Sequence, residues 1–182
     1  MSVIYLDMDG VIADFFGGLE RKYDAPHWKS IKWKESIYVD LRYTDFFFEI
    51  PLFDNTLDIV NLVKSAALFN DLSWGICSSP LKGDEVNSAY WKRRWLEKHR
   101  ITPDIENLIF TANKEKYYLH QLDWRPNILI DDKQDNIDRW NAAGGIGIRF
   151  QANRDDLNEY LKPELEKAVA IINGTAKMSD RV

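Results

Sequence analysis

Cysteine is nearly absent. Cys77 is the single one among 182 residues, which excludes an intramolecular disulfide. With only three His besides, scattered along the chain, no zinc-type ligand cluster can be assembled either. Positive charge is not in excess. A formal charge of -5 gives no electrostatic reason to expect a nucleic-acid polymer or an anionic membrane surface as partner. Long apolar runs are also missing: no stretch approaches membrane-spanning length, and the N-terminal apolar run is too short for a signal peptide and lacks its basic flank. There is no internal repeat and no low-complexity segment. These absences read as an intracellular, cytoplasmic chain with no membrane partner. At 45% hydrophobic and 29% charged residues, it is long enough for one well-buried core with a small appended subdomain. Aromatic rings are abundant, at 13% of residues with seven Trp.

Val3 to Leu6 are four consecutive apolar residues, the pattern of a strand covered on both faces of a parallel sheet. The run ends in Asp7 and Asp9, two residues apart, with Gly10 next. Burial does not explain them. Two carboxylates at a strand end repel each other unless a cation or a shared proton lies between them. The plainer alternative is an acidic turn around Gly10.

Further along, residues 13–23 have helical spacing, with Phe15, Phe16, Leu19 and Tyr23 apolar. Residues 25–51 change texture. Pro26, Trp28, Trp33, Tyr38, Tyr43 and Phe46-Phe47-Phe48 follow no period, and the segment reads as an inserted set of short helices and loops apart from the core. Asp54-Asn55-Thr56 predicts an N-cap for a helix carrying Leu57, Val60, Val63 and Ala67. Strands are expected at 72–77, 108–110, 128–130 and 146–150, and helices at 85–99 and at 137–143, the latter closed by Gly144-Gly145. The helix at 85–99 carries a basic, aromatic face of Trp91, Lys92, Arg94 and Trp95. Pro163 divides 157–172 into two helices, and 178–182 reads as a frayed tail. Alternating strands and helices imply an α/β fold with a Rossmann-like parallel sheet, helices on both faces and right-handed crossovers.

In such a sheet Asp7/Asp9, Ser78/Ser79, Lys114 and Asp131/Asp132 converge on one edge, where ligands bind. A hard cation such as Mg²⁺ takes one or two carboxylates plus waters and substrate phosphate. Asp7 and one of Asp131 and Asp132 suit it, and Asp9 is a further candidate ligand. Serine hydroxyl and lysine ammonium are donors for phosphate oxygens. Asp7, its charge masked by the metal, can attack phosphorus, and Asp9 is placed to protonate the leaving oxygen and then deprotonate water. Each piece has a plainer reading alone: a strand exit for Ser78-Ser79-Pro80, a solvated lysine for Lys114, an N-cap for Asp131-Asp132. Their joint occurrence in chain order at strand ends favours the chemistry.

These residues resemble the four motifs of the haloacid dehalogenase-like (HAD-like) phosphohydrolases: Asp-x-Asp-Gly followed by Val or Thr at Asp7 to Val11, a Ser or Thr at Ser78, a Lys at Lys114, and an acidic pair at Asp131-Asp132. More closely, the chain resembles the 5'(3')-deoxyribonucleotidases. Asp7-Met8-Asp9-Gly10-Val11-Ile12-Ala13-Asp14-Phe15 is similar to that family's opening. Phe46 to Pro51 resembles its Phe-Phe-x-x-Leu-x-Pro signature, one residue shorter. Ile76-Cys77-Ser78-Ser79-Pro80 resembles Cys-Thr-Ser-Pro, and Lys92 to Lys98 its Lys-x-x-Trp-Val-Glu-Lys helix. Thr111-Ala112-Asn113-Lys114-Glu115 keeps only the lysine of Arg-Asp-Lys-Thr, and residues 24–45 match poorly.

The resemblance implies a Mg²⁺-dependent monophosphatase working through an aspartyl-phosphate on Asp7. It implies a catalytic core of residues 1–14 and 52–182 and a small helical cap at 15–51. Cap aromatics such as Phe15 and Phe47 would stack the base, while Ser79 and Lys92 would help hold the substrate; Trp28, Trp33 and Phe47 serve equally as the cap's own packing. Lys82 has a solvated reading and a phosphate-facing one. The implied partner is a small nucleotide, and a homodimer is compatible with it. Nucleic-acid 3'-phosphate ends or sugar phosphates are the alternative substrates, and a non-catalytic nucleotide-binding module is the alternative class.

Overall fold

The structure, a computed structural model, describes residues 1–31, 34–122 and 124–175, so that Trp33 and the tail at 178–182 lie outside the described residues. Five strands, β1 (Val3–Leu6), β2 (Ser73–Ser78), β3 (Leu108–Phe110), β4 (Ile128–Asp131) and β5 (Ile146–Arg149), form a parallel sheet in the order β3-β2-β1-β4-β5. The apolar run that opens the chain occupies the centre. Leu6 lies in register with Ile76 on one side and Ile130 on the other, so Asp7 emerges between the ends of β2 and β4. The chain order reverses at this strand, and a crevice opens at the C-terminal edge of such a reversal.

Alternation along the strands divides two apolar layers. Ile4, Leu6, Ile76, Ile128 and Ile130 face the larger one, with α4 (Thr56–Phe69), α5 (Glu85–Lys98) and α7 (Lys162–Ile172) supplying Val60, Val63, Trp95, Leu96 and Leu165. Val3, Tyr5, Cys77 and Leu129 face the smaller layer, covered by Ile137 and Trp140 of α6 (Gln134–Ala143). Gly144 ends α6 with φ +106°, the left-handed conformation that glycine adopts without a Cβ penalty.

Several ends differ from the sequence reading. Strand β2 runs one residue further, to Ser78, because Ser78 pairs with Phe110 on β3. Helix α6 begins at Gln134, three residues before Ile137, where polar residues of the first turn carry no apolar period. Residues 157–161 form a wide π turn running directly into α7, and Pro163 sits in the first turn of α7, where its missing N–H leaves no hydrogen bond unmade.

Between Ala13 and Pro51 lie α1 (Phe15–Lys22), a 3₁₀ turn at Trp28–Ser30, α2 (Lys34–Asp40) and α3 (Phe46–Glu49). This aromatic stretch is not set apart from the core: Ile31, Ile37, Leu41, Phe46, Phe47 and Ile50 are buried in the same apolar cluster as the sheet. Helix α5 fastens its end. The Trp95 indole N–H donates to the Ile50 carbonyl at 2.7 Å, and Phe48 packs against Trp91. Among the described residues no helix is long and apolar enough to cross a membrane.

Trp95→Phe keeps an aromatic ring but deletes the indole N–H together with the pyrrole half of this fully buried side chain, leaving the Ile50 carbonyl without that donor. A loss of about 1–3 kcal/mol is expected in urea unfolding; an unchanged midpoint would show that the bond does not hold α5 to this segment.

Candidate active site

The turn after β1 is wound tightly, with the N–H groups of Ile12 and Ala13 both donating to the Met8 carbonyl at 2.9 Å. Met8 is buried in the core, whereas Asp7 and Asp9 line a cleft. Gly10 is required twice over. Its φ is +84°, and a Cβ there would come 2.5 Å from Asp132 Oδ2. The glycine is what lets the β4 end approach the β1 turn.

Lys114 lies in a short 3₁₀ turn after β3 and is 1% exposed. Its Nζ stands 2.9 Å from Asp7 Oδ1 and donates to Asp131 Oδ2 at 2.6 Å. Asp131 is saturated further: Oδ1 accepts from the Lys133 backbone N–H at 2.9 Å, and the Asn136 amide reaches both oxygens at 3.0 and 2.9 Å. By contrast, Asp132 Oδ1 is buried with no partner. On the other side, Lys92 Nζ donates to Asp9 Oδ2 at 2.7 Å, Ser78 Oγ at 3.0 Å and the Ser79 carbonyl at 2.9 Å.

Burial alone would push the Asp7 carboxyl up. The ammonium groups of Lys114 and Lys92, with hydrogen bonds from Lys114 and Ser78, outweigh it and hold Asp7 below the usual range. Asp132 goes the other way, pushed up to about 7 by burial and then by the charges of Asp7 and Asp131. Burial would also lower Lys114, but Asp7 and Asp131 keep it above its ordinary value.

Asp7, Asp131 and Asp132 bring one oxygen each within 4.8 Å of one another. A carboxylate trio of this span, with an orphaned oxygen on Asp132, fits a hard cation that takes oxygen ligands. Asp9 is outside the trio, its Oδ2 turned to Lys92.

The cleft, about 410 Å³, is walled by Phe15, Phe16, Tyr38 and Phe47, with Arg42 and Lys82 also lining it. Phe15 and Phe47 stack at 6.2 Å, and their own packing leaves them 8% and 3% exposed. Trp28 stacks behind Phe16 at 4.6 Å and does not line the cleft. Ser79 lines it; Ser78 is fully buried beneath. A larger hollow of about 640 Å³ against Tyr5, Ser73 and His120 contains none of these groups, so chemistry and not size selects the cleft.

Four residues at the site were not singled out from sequence in that role: Asn136, Lys133, Arg42 and Tyr38. Asn136 had a local signal, since an amide on the first turn of a helix after an acidic pair can reach back to it. Nothing local marks Arg42. Its Nε is buried without a partner, and its guanidinium packs where a Cβ on Gly83 would lie 2.8 Å from Cζ.

No family model matches the chain. It is 29% identical over 154 residues to the mitochondrial 5'(3')-deoxyribonucleotidase of Mus musculus, covering 72% of this chain and 64% of that protein. Identity to the mitochondrial 5'(3')-deoxyribonucleotidase of Homo sapiens is 27% over 154 residues, 72% of this chain and 62% of that one. The match thus spans a little under two thirds of either relative. A crystal structure of a dehalogenase superposes with a TM-score of 0.55 at 12% identity, covering 86% of this chain and 87% of the other, a likeness of fold. The chain has an α/β fold of the HAD-like kind and resembles the 5'(3')-deoxyribonucleotidases as a distant relative.

The Asp132 shift has a checkable sign. Its folded value near 7 lies above the ordinary 3.8, so between the two the folded state binds more protons than the unfolded one. This group's contribution therefore falls as pH rises from about 4 to about 7 in metal-free protein. Asp132→Asn is expected to remove that part of the fall in urea midpoints measured with a chelator present. Parallel pH curves for the two proteins would refute the shift.

Proposed function

We propose that the protein is a Mg²⁺-dependent phosphatase that hydrolyses (deoxy)ribonucleoside monophosphates to nucleoside and phosphate through an aspartyl-phosphate on Asp7. One observation carries the reading. Asp7, kept ionised by two buried ammonium groups, opens into a cleft that holds a second carboxylate two residues on and aromatic rings above.

In the first step an Asp7 oxygen bonds to phosphorus while the ester P–O bond breaks. Its electron pair stays on the nucleoside oxygen, which takes a proton from Asp9. In the second, Asp9 takes a proton from water as the water oxygen bonds to phosphorus, and the Asp7 O–P bond opens with its pair returning to Asp7. Ser78 and Lys114 are donors for the phosphoryl oxygens. Asp7 and Asp132 would hold the magnesium, since both oxygens of Asp131 already have donors. The ion, when bound, supplies positive charge against the phosphoryl group and masks that of Asp7.

In this reading residues 1–14 and 52–182 are the catalytic core and 15–51 the cap. Phe15 and Phe47 give the nucleoside an aromatic wall, and base–aromatic stacking is worth roughly 1–3 kcal/mol per base. The relatives' names, the cleft's size and the net negative charge of the chain support a small nucleotide as the substrate.

Phosphate release from a panel of nucleoside monophosphates, sugar phosphates and a 3'-phosphorylated oligonucleotide, with and without Mg²⁺, tests the substrate. Mg²⁺-dependent turnover favouring mononucleotides is expected; preference for the oligonucleotide would replace this substrate, and no release from any would leave a binding module. Asp7→Asn should lower turnover about 10³-fold or more with the fold retained. Near-normal activity in that variant would remove Asp7 as nucleophile.

A further inference from the structure

Two cations of the cleft have no part in handling the transferred phosphoryl group. Arg42 comes from the segment after α2 and Lys82 from the loop after β2, and both line the cleft. They meet at Gly83. A Cβ there would lie 2.8 Å from both Cζ and Nη2 of Arg42 and 3.0 Å from Nε, so the guanidinium rests against the backbone next to Lys82. Gly83, with φ +80° and no side chain, makes that approach possible.

Neither charge is answered by the protein. Arg42 Nε is buried without a partner, and among the described residues no hydrogen bond or ion pair engages the rest of the guanidinium or the Lys82 ammonium. The Nη groups keep accessible surface and are the donors open to the cleft. Glu85, whose carboxyl is lowered first by the Gly83 N–H, feels both cations, but it is exposed and does not line the cleft. Lys133 also lines the cleft and differs. Burial would lower its ammonium, but Asp7, Asp132 and Asp9 keep it above its ordinary value, so its charge is answered at the catalytic end.

Ser79, Pro80, Leu81 and Lys82 line the cleft without a break, leading from the end of β2 to the two cations. Four residues of chain span at most about 14 Å, so the pair stands near the phosphoryl site yet apart from it. Full charge on both groups favours an anion over the neutral edge of a base, and the Nη end of a guanidinium presents parallel donors to phosphate oxygens.

We propose that Arg42 and Lys82 form a second anion subsite, which takes a phosphate ester that is not transferred. It rests on the phosphatase reading above, which places the transferred phosphate at Asp7. A nucleoside 3',5'-bisphosphate and the phosphodiester of a 5'-phosphorylated dinucleotide are the two sources of such a group.

Calorimetric titration of Asp7→Asn with Mg²⁺ reads the subsite through binding. Against the monophosphate of the same nucleoside, the bisphosphate or the dinucleotide should bind about tenfold more tightly or better. Adding Arg42→Met and Lys82→Met should bring that ratio to within about threefold, with monophosphate affinity also held within about threefold. Lys82→Met alone alters only an exposed side chain and should remove part of the gain if the Arg42 variant does not fold. A larger gain for the bisphosphate assigns the subsite to mononucleotides, and a larger gain for the dinucleotide assigns it to chain ends. Equal affinity for all three ligands would overturn the inference, as would a gain that survives both substitutions. Equal weakening of all three would place the cations at the transferred phosphate instead and overturn it too. A lowered urea midpoint with an unchanged ratio would leave Arg42 as a packing contact only. Absence of phosphate release by the wild type would sink the phosphatase reading, while the titration would still decide the subsite.

Discussion

The ammonium of Lys114 lies between Asp7 and Asp131, 2.9 Å from one carboxylate and 2.6 Å from the other, with all three side chains removed from water. Removing Lys114 would leave two buried carboxylates facing each other uncompensated, at a cost of about 3–5 kcal/mol. The sheet order makes the arrangement available. Asp7 and Asp131 end adjacent parallel strands, and the segment after β3 returns beneath them with Lys114 on its first turn. The apolar character of β1 is thus a condition of the chemistry: a strand buried on both faces carries its terminal carboxylate into the interior, where two lysines govern its ionisation.

Two lysines engage three of the four carboxylates. Lys114 engages Asp7 and Asp131, Lys92 engages Asp9, and Asp132 keeps a buried oxygen with no partner. Arg42, Lys82 and Lys133 line the same cleft, so the shortfall is local to Asp132, whose buried oxygen has no donor. A divalent cation beside Asp7 and Asp132 would offset it before an anionic substrate arrives. Burial, and then the charges of Asp7 and Asp131, keep the Asp132 carboxyl high, and its proton stands in for a cation when none is bound.

Much of this was legible in the chain because it depends on local pattern. Four apolar residues before Asp7 mark a buried central strand, alternation places every strand within a residue or two, and parallel order brings the strand-end clusters together. What failed to show depends on three-dimensional approach. The basic, aromatic face read on α5 is two faces: Lys92 and Trp95 are buried, whereas Arg94 is exposed and pairs with Glu97. The helical offset between Ser88, Lys92 and Trp95 held the clue, since a lysine on an apolar stripe needs an acid opposite it. Irregular spacing at 25–51 concealed that its apolar residues join the main core, because short helices bury single side chains without a period. Arg42 and Tyr38 reach the cleft only through that packing.

The central claim is that the phosphoryl group passes through Asp7. The most direct measurement is acid quenching of a single turnover with a labelled nucleoside monophosphate and Mg²⁺, followed by mapping of any phosphorylated peptide. The account predicts a short-lived acyl phosphate on Asp7 that forms before free phosphate appears. Release of phosphate with no covalent phosphoenzyme at any time, or a phosphoryl group on another residue, would contradict it.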